Sequence, residues 1–95
     1  MVHLNVLLMV RQAADVPRVR DLLREAGRIS RGEPGCHRFE VYQSQSEPRR
    51  FLLCEHWQDT AALDTHRQGR AFTEIYSPQV LPLVEREPHP SDLIE

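Results

Sequence analysis

The sequence predicts a single α+β domain, and three observations carry that expectation. An apolar run opens the chain, an amphipathic helical stripe follows it, and two strands rich in aromatic and β-branched residues precede a second helical stretch. Within 95 residues, 40% hydrophobic and 27% charged, there is room for one domain, residues 1–95.

Val2 to Val10 is continuously apolar apart from His3 and Asn5, rich in Val and Leu, and bounded by Arg11 and Asp15. It is too short for an independent helix, so a strand covered on both faces is expected, by the domain's own helices on one side and by a second subunit on the other. Asp15 can cap the next helix and Pro17 is tolerated in its first turn, while Val16, Val19, Leu22, Leu23, Ala26 and Ile29 recur at helical spacing. Gly32, Pro34 and Gly35 end that helix.

Two strands are expected over Cys36 to Gln43 and Arg50 to Trp57, paired antiparallel across the turn formers of SQSEPR. Asp59 then caps a second helix through Ala62, Leu63 and His66, broken near Gly69 and resumed through Phe72, Ile75 and Tyr76 until Ser77 and Pro78. This β-α-β-β-α order needs one more strand to complete a ferredoxin-like β-α-β-β-α-β antiparallel sheet with helices on one face. The tail carries Pro82, Pro88 and Pro90, so a short strand within Leu83 to Glu87 or Leu93 to Glu95 competes with a C-terminal arm, residues 86–95, reaching a partner subunit.

A chain of this size buries only roughly 65% of its unfolded surface, which favours a homodimer. The formal charge of −2, with scattered arginines diluted by acids, argues against a nucleic-acid surface. The first ten residues lack a basic leader and run into Arg11, so neither a signal peptide nor a membrane span is expected, and the cytoplasm is the expected location. Cys36 and Cys54 lack CxxC spacing and read as structural thiols.

The segment EPGC (Glu33 to Cys36), an aromatic strand with Tyr42, then FLLCEHW (Phe51 to Trp57), AAL (Ala61 to Leu63), His66 and Phe72 follow one another in a familiar order and spacing. Together they resemble the antibiotic biosynthesis monooxygenase (ABM) family over about two thirds of the chain. The resemblance implies a homodimer whose sheets pack together as a dimeric α/β barrel, with a pocket in each subunit between sheet and helices. It also implies oxidation of phenols or quinols by O2 with no flavin, haem or metal, although a side branch degrades haem and other members have no known reaction. Here Ala71 stands where the family often has a second histidine, and Gly69 and Arg70 replace a frequent Ser-Pro pair. The haem-degrading branch pairs a first-strand Asn with a Trp and a His at positions that fall on His66 and Tyr76, so haem oxygenation is not expected.

No G-x-G-x-x-G, Walker loop or His/Cys metal spacing occurs, so no cofactor and no metal are expected. Cofactor-free oxygenation then asks the protein for a base, an oxyanion donor and a water-poor pocket. His66 is the candidate base, because an imidazole exchanges protons near neutrality and its spacing from Ala62 puts it on the sheet-facing side of the helix; the alternative is a half-exposed histidine bonded to backbone. Asn5 is either the group that orients a ligand oxygen or a buried amide satisfied by backbone or water. Trp57, the third catalytic candidate, walls the pocket or packs the core. Phe72, Tyr76, Leu7, Leu53 and Glu55 are the candidate substrate-binding residues, with Phe72 and Tyr76 equally readable as the packed face of a helix.

The function expected is a cofactor-independent monooxygenase acting on a small aromatic quinol or phenol with O2. The alternatives are a non-catalytic small-molecule-binding or stress-related dimer of the same fold, and a cofactor-free isomerase.

Overall fold

In a computed structural model, which describes residues 1–95, the chain runs β1 (Val2–Val10), α1 (Val16–Arg31), β2 (Cys36–Gln43), β3 (Arg50–Trp57), α2 (Thr60–Gln68), α3 (Ala71–Val80) and β4 (Val84–Ser91). The four strands form one antiparallel sheet in the order β2-β3-β1-β4. The helices lie on one face, giving the ferredoxin-like arrangement that the sequence predicts.

Strand alternation sorts β1 into two sets. Leu4, Val6, Leu8 and Val10 are buried beneath the helices, each contributing about 1.5–3 kcal/mol of transfer free energy. His3, Asn5, Leu7 and Met9 point to the opposite, helix-free face, where Asn5 is exposed. The expected cover on both faces is therefore present on one face within the subunit.

Helix α1 buries Val19, Leu23, Ala26 and Ser30, a stripe at intervals of four, three and four residues. It is entered through a 3-10 turn at Ala13–Asp15, and Asp15, with helical φ and ψ, makes no side-chain capping bond, contrary to the sequence expectation. Asp59 does cap α2, its carboxylate accepting from the Ala62 N–H at 2.8 Å. Between α1 and β2 the chain turns at Gly35, whose φ of +77° suits glycine. A Cβ there would also stand 2.6 Å from that of Ala62, so this glycine sets how closely the turn approaches α2.

Two expectations change C-terminal to Gly69. Pro78 does not end the helix: α3 continues to Val80 with π-type winding, the Leu81 N–H reaching the Tyr76 carbonyl. Proline brings no N–H to the helical ladder, and beside it the Gln79 side-chain amide donates to the Glu74 carbonyl at 2.9 Å. The tail forms a full edge strand in which residues 86–91 pair with β1. Pro88 and Pro90 are two positions apart, so their missing donors fall on the same, solvent side of the edge. No helix is long and apolar enough to cross a membrane.

Candidate active site

A cavity lies between the covered sheet face and all three helices. Its walls are mostly apolar, with Leu4 and Leu53 from the sheet, Leu23 from α1, and Leu63 and Phe72 from α2 and α3. Six polar or charged side chains reach it: Ser30, Glu55, His66, Arg67, Tyr76 and Arg86. Its open interior is about 20 Å³, room for roughly one water molecule. An aromatic ring enters only when lining side chains turn aside. Arg86, exposed on the edge strand, and half-buried Phe72 are the freest to do so.

His66 is 7% exposed and held from two directions. Its Nδ1 lies 2.6 Å from Glu33 Oε1, and its ring stacks on Trp57 at a centroid distance of 4.5 Å and a tilt of 33°. Phe39 and Phe72 flank it at 5.8 and 6.0 Å. A carboxylate accepting from Nδ1–H fixes the neutral tautomer whose lone pair is on Nε2. Glu33 can stand there because Gly69 has no side chain: a Cβ at Gly69 would come within 2.5 Å of Glu33 Oε2.

Glu55 is the second candidate base. It is 5% exposed and accepts from Trp57 Nε1–H at 3.0 Å. Burial pushes its pKa above the ordinary value, outweighing the Trp57 hydrogen bond and the cationic neighbours. Burial likewise raises the Tyr76 phenol, with Arg86 opposing, and Arg86 Nε donates to the Tyr76 hydroxyl at 3.1 Å.

The raised carboxyl gives a stability prediction. A group with a raised folded-state pKa binds more protons folded than unfolded, so its stabilising contribution is present at low pH and is lost as pH rises from the unfolded value through the folded one. Glu55→Gln retains an acceptor for the Trp57 N–H and does not titrate. Its melting temperature relative to wild type is expected to climb as pH rises from about 4.5, the ordinary value, towards neutrality, by thermal melts across that range. A difference independent of pH would contradict a buried, titrating Glu55.

The sequence-predicted residues divide by sheet face. His66, Leu53, Glu55, Phe72 and Tyr76 line the cavity together. Trp57 is fully buried beside it, supporting both His66 and Glu55. Asn5 and Leu7 require correction: strand alternation turns them to the helix-free face, and the Asn5 amide donates to Ser91 Oγ at 3.0 Å. Neither can touch a ligand in the cavity. Sequence reasoning passed over Glu33, Ser30, Arg67 and Arg86. Glu33 stands in the EPGC motif, where no neighbour in sequence marks it as a partner for His66, and Ser30 continues the apolar stripe of α1, four residues after Ala26.

Both thiols are free, and that of Cys36 is pushed up by burial and by nearby Glu33, so it is not activated as a nucleophile. No group of three or more His, Cys, Asp or Glu side chains is arranged to hold a metal ion.

The fold has counterparts among known proteins. A crystal structure of an antibiotic biosynthesis monooxygenase superposes at a TM-score of 0.91 with 25% identity, covering all of both chains. A protein of that description from Deinococcus radiodurans superposes at 0.81, also with 25% identity, over 98% of this chain and 94% of its own. An uncharacterized protein of Synechocystis sp. is 43% identical over 54 residues, 55% of this chain but 37% of that relative, so the match spans little more than a third of the longer protein. The sequence model of the antibiotic biosynthesis monooxygenase family matches residues 1–77, the stretch that supplies every strand but β4 and, with Glu33, Glu55 and His66, both candidate bases and the carboxylate that orients one of them. The chain belongs to the antibiotic biosynthesis monooxygenase family.

Proposed function

We propose that this protein is a cofactor-independent monooxygenase oxidising a small aromatic quinol or phenol with O2. The observation that carries the reading is the pairing, in one apolar cavity, of a Glu33-oriented His66 with a buried Glu55. His66 takes the phenolic proton at Nε2, and the resulting aryl-oxide gives one electron to O2. The two radicals then combine at a hydrogen-bearing ring carbon, the peroxide takes back the proton held on His66, and loss of water with the ring hydrogen leaves a carbonyl and restores the neutral imidazole. Apolar walls favour this sequence because water would intercept the reactive intermediates. No cofactor or metal takes part in this proposal. Oxygen uptake by metal-stripped protein with a panel of quinols tests it, with uptake expected from at least one of them.

A second reading is a non-catalytic small-molecule-binding or stress-related dimer of the same fold. The narrow cavity favours it, since a space of about 20 Å³ is close to ordinary core packing. Absence of uptake with every quinol would support it.

The proposed working unit is a cytoplasmic homodimer. On the helix-free face Tyr42 is 49% and Leu52 37% exposed, beside half-buried Leu7 and Met9. The molecule measures 36 × 31 × 17 Å, so this broad face has room for the about 800 Å² per partner of a standard interface. Residues 92–95, beyond β4, are the part of the proposed arm left to contact a partner. Sedimentation is expected to give twice the 11.1 kDa chain mass, falling to the monomer in Leu52→Asp. A wild-type monomer at micromolar concentration would contradict the dimer.

A further inference from the structure

Five arginines lie on α1, and two of them are answered by side chains away from the sheet: Arg28 by Glu25 and Arg18 by the Gln79 side-chain carbonyl at 3.2 Å. Arg20, Arg24 and Arg31 are different. With Gly27 they recur at steps of four, three and four residues, which puts them on one flank of the helix beside its buried stripe. Arg20 is exposed and makes neither an ion pair nor a hydrogen bond. Arg24 meets Asp21 only at 3.7 Å, with both side chains open to water, a contact of small worth. Arg31 Nη1 donates to the Phe39 carbonyl at 3.1 Å, which leaves most of its donors free.

These three guanidinium groups line a groove of about 260 Å³ whose other walls are Val41 and Gln43 of β2 and Phe51 of β3. Gly27 makes the approach close. A Cβ there would stand 3.3 Å from Val41 Cγ2 and 3.6 Å from Arg31 Nη1, so the bare backbone lets this flank of α1 settle against the edge strand. No carboxylate lines the groove, and it shares no residue with the cavity beneath the helices. In a chain of net charge −2, three like charges converging without an acid among them repel one another, and an anion held between them relieves that repulsion.

We propose that the groove between α1 and β2 is a binding site for a phosphate dianion, carried free or by a small monoester, with Arg20, Arg24 and Arg31 as its ligands. A guanidinium fork meets two phosphate oxygens at once, and the remaining oxygens can engage a second fork, whereas a carboxylate is filled by one. The groove is larger than the phosphate alone, which leaves room for a small organic body against Val41. The site is separate from the cavity and does not depend on the oxygenase reading.

Calorimetric titration at about pH 8, where the phosphate group is a dianion, tests it with glucose 6-phosphate, inorganic phosphate, acetate and glucose as probes at one ionic strength. Saturable binding at millimolar concentration is expected for both phosphates, with acetate weaker and glucose silent. Tighter binding of glucose 6-phosphate would identify an ester as the ligand, and equal binding the free anion; either supports the site. Arg20→Gln and Arg24→Gln are each expected to weaken binding at least about tenfold, the worth of a charge-assisted hydrogen bond. Arg28→Gln removes the same charge from the same helix outside the groove, and is expected to change affinity less than about twofold. All three positions are exposed, so melting temperatures close to wild type are expected and would show the variants folded. Absence of saturable binding by either phosphate would overturn the proposal, as would acetate binding as tightly as phosphate. Equal weakening by Arg28→Gln and Arg24→Gln would overturn it too, by showing diffuse attraction to the helix rather than a site.

Discussion

Turnover by the His66→Ala variant is expected to fall about 10²–10⁴-fold, the usual contribution of a positioned general base, while substrate affinity changes far less. The imidazole is nearly buried, stacked on Trp57 and tied to Glu33, so its tautomer and direction are set before a substrate arrives. Two further substitutions ask whether the carboxylate matters. Glu33→Gln can present an amide N–H to Nδ1 and so select the other tautomer, with the lone pair turned away, lowering turnover by at least about tenfold. Gly69→Ala reaches the same end without touching either partner, because the new Cβ would displace the Glu33 carboxylate. Gly69 has a φ of −82°, so alanine is not strained there. Steady-state kinetics across pH would read all three, and full activity in Gly69→Ala and Glu33→Gln would remove Glu33 from the machinery.

Trp57→Ala is expected to cost about 3–5 kcal/mol of stability, the range for emptying a buried large aromatic site. The indole is fully buried, packs edge-on to Phe39 at 6.3 Å, stacks on His66 and donates to Glu55. Its loss therefore opens a void, frees the imidazole and leaves a buried carboxyl oxygen unpaired, pushing the Glu55 pKa still further up. Trp57→Phe retains most of the packing and removes only the N–H, so it should recover much of the stability while leaving Glu55 without its donor. Denaturant titration of both variants checks this. Equal stability of Trp57→Ala and wild type would contradict the packed position.

Most of the fold was legible because it is written in local periodicity. The alternation of β1, the helical stripe of α1, the Asp59 cap and the turn glycines each act within a few residues. The choice of sheet face was harder. Both alternating sets of β1 are largely apolar, and only His3 and Asn5 mark one as the less buried, a signal that yielded to the attraction of Asn5 as a ligand group. Pro88 and Pro90 spoke against a strand by composition, yet their spacing lets an edge strand keep its pairing to β1.

The site was legible only in part, because it is assembled by contacts distant in sequence. Glu33 and His66 are separated by 33 positions, and nothing local announces that pair. The Tyr76 and Arg86 contact needs β4 to lie at the sheet edge. Ser30 was hidden inside an apolar stripe, where a small polar residue attracts no notice until its lack of a partner is seen.

Incorporation of oxygen from ¹⁸O2 into the product of a quinol substrate, followed by mass spectrometry on metal-stripped protein, tests the proposed chemistry most directly. One ¹⁸O atom is expected in the product carbonyl and the other in water, with labelled product lost in step with turnover in His66→Ala. Unlabelled product accompanied by hydrogen peroxide, or no conversion of any quinol, would contradict it.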